Sequence, residues 1–108
     1  MPTRLAITDI DPNGVALRGE IDAHSAPGLA DRFSTLPAGD GDIVIDMAEV
    51  SFMDSSGLRV LLDLHQRAGQ AERRLVLLTP SQTVTRLLEV SGLLDHFIVE
   101  PAPTTDSN

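Results

Sequence analysis

Three consecutive residues concentrate the chemistry of this chain: Asp54, Ser55 and Ser56, followed by Gly57-Leu58. An apolar run, Ile43-Val44-Ile45, and a short loop lead into them, and an amphipathic pattern starts straight after. A hydroxyl at such a junction lies beside unpaired backbone N–H groups and the positive end of a helix dipole, where a phosphate is well accommodated. The segment reads as a regulatory phosphorylation site at a helix N-terminus. The plainer use of the same serines is helix capping, one hydrogen bond contributing on the order of 1 kcal/mol.

Nucleophilic catalysis would ask more of Ser55: a base within reach, a group to orient it and an oxyanion hole. The sequence lacks Gly-x-Ser-x-Gly, and His24, His65 and His96 offer no obvious base. With no lysine there is no phosphate-binding Gly-x-x-x-x-Gly-Lys-Ser/Thr loop, and no Gly-x-Gly-x-x-Gly occurs. The three histidines are far apart in sequence, so a zinc site has little support. The chain is therefore expected to be no enzyme, to use no cofactor and to serve as the substrate of a kinase and a phosphatase.

The elements that position the serines follow from periodicity. Runs over 4–10 and 15–20, joined by Asp11-Pro12-Asn13-Gly14, predict an opening β-hairpin. Ser25 is placed to cap a first helix reaching about Leu36, with Leu29, Phe33 and Leu36 on one face, before Pro37-Ala38-Gly39-Asp40-Gly41 ends it. A buried strand is predicted at 42–46, a second helix at 56–69 stopping near Gly69, and a buried strand at Leu75-Val76-Leu77-Leu78. Pro80-Ser81 starts a third helix that ends at Gly92, and Phe97-Ile98-Val99 is the last strand. Pro101–Asn108 is a polar tail, expected to fray. A hairpin followed by alternating helix and strand implies an α/β sandwich with a mixed sheet.

The second helix carries more apolar surface than one sheet needs. Leu58, Leu61, Leu62, His65 and Ala68 share a face, and Val60 and Leu64 widen the arc to roughly 200°, against the stripe of about 100° that a sheet covers. Contact with the third helix is the ordinary cover for the excess. The alternative is a protein-binding ridge of Val60 and Leu64 beside Ser55. His65, inside the arc, reads as a partly buried structural histidine.

Composition narrows the partners. At 108 residues the chain makes one domain, and its formal charge of −8 argues against nucleic acid or an anionic membrane as a partner. There is no cysteine, hence no disulfide and no thiol switch. No apolar run approaches the roughly 18 residues of a membrane span and no signal peptide opens the chain, so a cytoplasmic location without membrane insertion is expected.

Asp54-Ser55-Ser56-Gly57-Leu58 behind Phe52-Met53 resembles the signature of bacterial anti-sigma factor antagonists, the STAS-domain family. Three more blocks match in order and spacing: Gly19-Glu20-Ile21-Asp22-Ala23-His24-Ser25-Ala26, Ile43-Val44-Ile45-Asp46-Met47 and Leu87-Leu88-Glu89-Val90-Ser91-Gly92-Leu93. The resemblance implies a single STAS-like domain over residues 1–100, with a tail at 101–108. Its sheet would be mixed and four- to five-stranded, with helices mainly on one face and the signature at an exposed rim. Ser55 would be the phospho-acceptor and Ser56 the cap.

By the same resemblance the unphosphorylated chain would bind an anti-sigma factor with serine-kinase activity, releasing a sigma factor, until phosphorylation of Ser55 ends the contact and a serine phosphatase restores it. The binding surface would comprise Asp22, His24, Asp54, Ser55, Ser56, Gly57, Arg59, Val60 and Leu64, on a monomer or weak dimer. The alternative within the family is a non-phosphorylated subunit docked on a transporter ATPase or other membrane complex. Arg59 departs from the pattern, standing where members often carry a small residue. Pairing with Asp63, with a partner, or with the phosphoserine are its three possible roles.

Overall fold

The computed structural model describes residues 5–10 and 14–100. Five strands form one sheet in the order of the chain: β1 (Leu5–Ile10), β2 (Gly14–Ile21), β3 (Ile43–Met53), β4 (Leu75–Leu78) and β5 (Ile98–Glu100). β1 and β2 are antiparallel, paired from Leu5↔Gly19 to Ile10↔Gly14. The predicted turn residues Asp11-Pro12-Asn13 and the predicted tail lie outside the described residues. The remaining pairs are parallel, and a parallel pair needs a crossover. Three helices supply them: α1 (Ala26–Arg32), α2 (Ser55–Gln70) and α3 (Gln82–Val90).

Alternation along β3 decides which face the helices cover. Ile43, Ile45 and Met47 are fully buried and join one core with Leu75 and Leu77 of β4, Leu29 and Phe33, Leu61 and Leu64 of α2, and Val84 and Leu88 of α3. Ala6, Thr8, Ala16, Arg18, Asp46 and Ala48 line a shallow groove on the opposite, helix-free face. The expected mixed sheet with helices on one face is thus present, with five strands.

Several boundaries differ from the periodic reading, among them the last strand, which spans Ile98–Glu100 rather than Phe97–Val99. β3 runs to Met53 rather than stopping at 46, so no loop separates it from Asp54. Two register shifts against β2, between Ala16 and Arg18 and between Gly19 and Glu20, carry the pairing to Ile21↔Met53 and break the apolar alternation that marks a strand in sequence. α1 stops at Arg32, where the Phe33 N–H is shared between the Leu29 and Ala30 carbonyls. α2 continues past Gly69 to Gln70, and Glu72 takes the left-handed conformation after it, with φ of 60°. The Arg73 and Glu72 N–H groups then close on the Ala68 and Gly69 carbonyls, the hydrogen-bond pattern usually built around glycine. α3 shows the same closure with Gly92 in that place, as expected.

Arg73 is the one buried charged residue in the described core. Its guanidinium donates to the carbonyls of Gly41 (2.8 Å), Pro37 and Ala38. It thereby fastens the segment between α1 and β3 to the chain just ahead of β4.

Candidate functional site

β3 delivers the chain directly into the cap of α2. The Asp54 N–H donates to the Ile21 carbonyl at 3.2 Å, fixing the junction to the end of β2. Asp54 itself is extended, and its carboxylate accepts from the Ser56 N–H at 2.8 Å. It is therefore the N-cap; the expectation that Ser56 caps the helix is corrected. A carboxylate on Asp54 reaches the second helical N–H from an extended backbone, whereas Ser56 already lies inside the helix. Ser55 occupies the first helical position, exposed, and its hydroxyl has no protein partner among the described residues.

Gly57 is buried beneath this turn. A Cβ there would stand 2.6 Å from Ile21 Cγ2 and 2.7 Å from Met53 Cγ, well inside contact distance. The missing side chain is what lets the first turn of α2 sit down on the ends of β2 and β3. Gly57 thus belongs to the site as a support and offers no contact surface of its own.

The neighbouring turn is built from its own side chains. The Asp22 carboxylate accepts from the His24 and Ser25 N–H groups, both at 3.0 Å, while Ser25 Oγ accepts from the Asp22 N–H and donates to the Glu20 carbonyl. Ser25 precedes α1 but makes no side-chain cap to it, a correction to its expected role: its hydroxyl is spent on the Asp22 turn. His24 is exposed and Asp22 half-buried.

Between α1 and α2 lies an open groove of ≈ 370 Å³ whose lining includes Ala23, Ala26, Pro27 and Ala30 on one side and Ser55, Ser56, Arg59 and Val60 on the other. The fold brings Ser55, Ser56, Arg59 and Val60 to this groove; Asp22, His24 and Asp54 flank it in sequence and do not line it. The small residues of α1 give no periodic signal that marks them as a surface, so the sequence reading missed them. It also missed Phe52, which is 45% exposed just before Asp54.

Leu64 does not belong with them. It is 0% exposed within the core, so the proposed ridge of Val60 and Leu64 is corrected: Val60 alone reaches the groove. The neighbour on the Val60 side is α1 rather than the expected α3. Arg59 is exposed and without a protein partner among the described residues, because Asp63 pairs instead with Arg67 at 2.9 Å. Of the three roles considered for Arg59, pairing with Asp63 is thereby removed.

At the far end of α2 the histidines, distant in sequence, prove adjacent in two cases. The His65 and His96 rings lie 4.6 Å apart, each edge-on to Phe97. Among the described residues no group of three or more side chains could hold a metal ion, and no helix is long and apolar enough to cross a membrane.

The STAS domain family matches residues 7–107. An anti-sigma-B factor antagonist of Listeria monocytogenes is 36% identical over 88 residues, which cover 81% of this chain and 77% of that protein. The anti-sigma factor antagonist SpoIIAA in its unphosphorylated form superposes with a TM-score of 0.70 at 27% identity, over 94% of this chain and 90% of the other. The phosphorylated form of SpoIIAA from Bacillus shares the fold with a TM-score of 0.64 at 24% identity, covering 94% and 93%.

Proposed function

The chain belongs to the STAS-domain family, among the anti-sigma factor antagonists, and from that premise we propose that it works as a partner switch controlled at Ser55. Unphosphorylated, it binds an anti-sigma factor that is itself a serine kinase, so that a sigma factor is released. Phosphorylation of Ser55 ends the contact, and a serine phosphatase renews it. The observation that carries this reading is the exposed first-turn Ser55, its hydroxyl left free because Asp54 takes the cap.

The charge arithmetic favours a local switch. A phosphate adds roughly −1.5 to −2 at neutral pH. The N-terminus of α2 accommodates it within the chain, but a partner surface matched to a neutral serine has no cation to set against a dianion beside Asp54. Like-charge juxtaposition across an interface costs several kcal/mol, hence a thousandfold or more in affinity. No refolding of the antagonist is needed.

The recognition surface is proposed to be the groove between α1 and α2 with its rim: Ser55, Ser56, Arg59 and Val60, flanked by Asp22, His24 and Asp54. Residues 1–100 form the working domain, acting in the cytoplasm as a monomer or weak dimer, without catalysis or a cofactor of its own. ATP belongs to the partner. Arg59, free and one helical turn from Ser55, is placed to pair with the phosphate once it is there.

An affinity pull-down from native lysate with wild-type, Ser55→Ala and Ser55→Glu baits tests the reading. A serine-kinase anti-sigma factor retained by Ser55→Ala and lost by Ser55→Glu is the expected result. Equal retention by both would remove the charge switch, and recovery of a transporter ATPase by all three would make Ser55 a structural residue.

A further inference from the structure

His65 lies on α2 and His96 on the 3-10 turn Leu94–His96 that leads into β5. Their rings meet at 4.6 Å with planes tilted by 60°, and Phe97, buried, closes the cluster edge-on at 5.4 Å from His65 and 5.5 Å from His96. His65 Nδ1 has no solvent access and no hydrogen-bond partner. As a lone pair on a neutral ring, that nitrogen costs less than it would on a charged one. As an N–H of a charged ring it would be a buried donor with nothing to accept it. A second charged imidazole would stand against it.

We propose that the His65–His96 contact is a protonation-sensitive latch, which holds the corner between α3 and β5 against the end of α2 and loosens in mild acid. Nothing near His65 offsets the charge on its own helix: Leu61, Leu62, Ala68 and Gly69, one turn away, are all uncharged. β4 carries no ionisable residue; the corner brings Asp95 and His96, β5 brings Glu100, and α3 brings Arg86 and Glu89. Burial lowers the His65 pKa below the ordinary 6.5, and the like charge of His96 lowers it further.

The sign follows. The unfolded chain protonates His65 at its ordinary pKa and the folded chain only at lower pH. Between those values the unfolded state holds more protons. The latch therefore contributes fully above about pH 6.5 and weakens as the pH falls toward the folded pKa. It lies roughly 15 Å from Ser55 along α2, at 1.5 Å per residue, and does not depend on the partner switch.

The test is an NMR titration of the imidazoles from pH 7.5 to 5.5, with amide exchange at Phe97, Ile98 and Val99 corrected for intrinsic rates. In the wild type, His65 titrates below 6.5 and exchange at these amides accelerates severalfold on acidification. In His96→Gln the His65 midpoint rises; in His65→Leu the acid acceleration disappears. A wild-type His65 midpoint at or above 6.5, or equal acceleration in His65→Leu, overturns the latch. The midpoint is read on the wild type, so it stands even where a variant folds poorly.

Discussion

Asp54 accepts a hydrogen bond from the Ser56 N–H at 2.8 Å, and this one contact leaves the residue between them, Ser55, with a free hydroxyl on the outside of the helix. Capping and modification are thus divided between neighbouring side chains. Asp54→Ala should cost about 1 kcal/mol through the lost cap, and Asp54→Asn only a fraction of that. Urea unfolding of both variants measures it. Equal losses would show that the charge, and not the hydrogen bond, is what Asp54 supplies.

Gly57→Ala should destabilise despite the better helix propensity of alanine. The new methyl meets Ile21 and Met53 at 2.6 and 2.7 Å, and overpacking of this kind costs about 1–3 kcal/mol, against a propensity gain of about 1 kcal/mol. Thermal unfolding gives the net sign. A variant as stable as the wild type would mean that Met53 swings aside freely.

Arg73→Met should lower stability by about 2–3 kcal/mol. Its buried guanidinium serves carbonyls of Pro37, Ala38 and Gly41. A hydrogen bond to a charged group contributes about 1.5–3 kcal/mol, and water takes over at the exposed Ala38 and Gly41, so the net loss is close to that of one such bond. Faster amide exchange over residues 38–42, ahead of the rest of the sheet, would identify the loop as the part released.

Glu72→Gly should stabilise the protein by about 0.5–1 kcal/mol, since φ of 60° carries a penalty for an L side chain of about 1–2 kcal/mol, partly offset by about 0.5–1 kcal/mol for the entropy of a glycine in the unfolded chain. An unchanged urea midpoint would place the strain elsewhere.

Arg59 can be tested without any partner. With phosphoserine installed at position 55, the second phosphate pKa, ordinarily about 6, should rise by about 0.2–0.4 units in Arg59→Ala. That is the equivalent of an i,i+4 pair of about 0.2–0.5 kcal/mol. Phosphorus NMR reads the midpoint directly, and identical curves would leave Arg59 to the partner.

What the sequence by itself determined was local or periodic. The apolar runs at Ile43-Val44-Ile45 and Leu75–Leu78, the stop at Gly92 and the placing of Ser55 at a strand-to-helix junction all rest on interactions within a few residues. Their signals survive without knowledge of the fold. Periodicity drew the apolar arc of α2 wider than its buried face: Leu58, Leu61, Leu64 and Ala68 form one stripe, with Val60 and Leu62 half-buried at its edges. It could not say which neighbour covers the excess, so Leu64 read as surface when it is core, and α1, not α3, flanks Val60. Tertiary packing alone decided that Arg73 reaches back to Pro37, that His65 meets His96, and that Glu72 rather than a glycine turns the chain after α2. Each joins partners far apart in the chain, or accepts a local strain that the surrounding contacts offset, and neither leaves a mark on the order of residues.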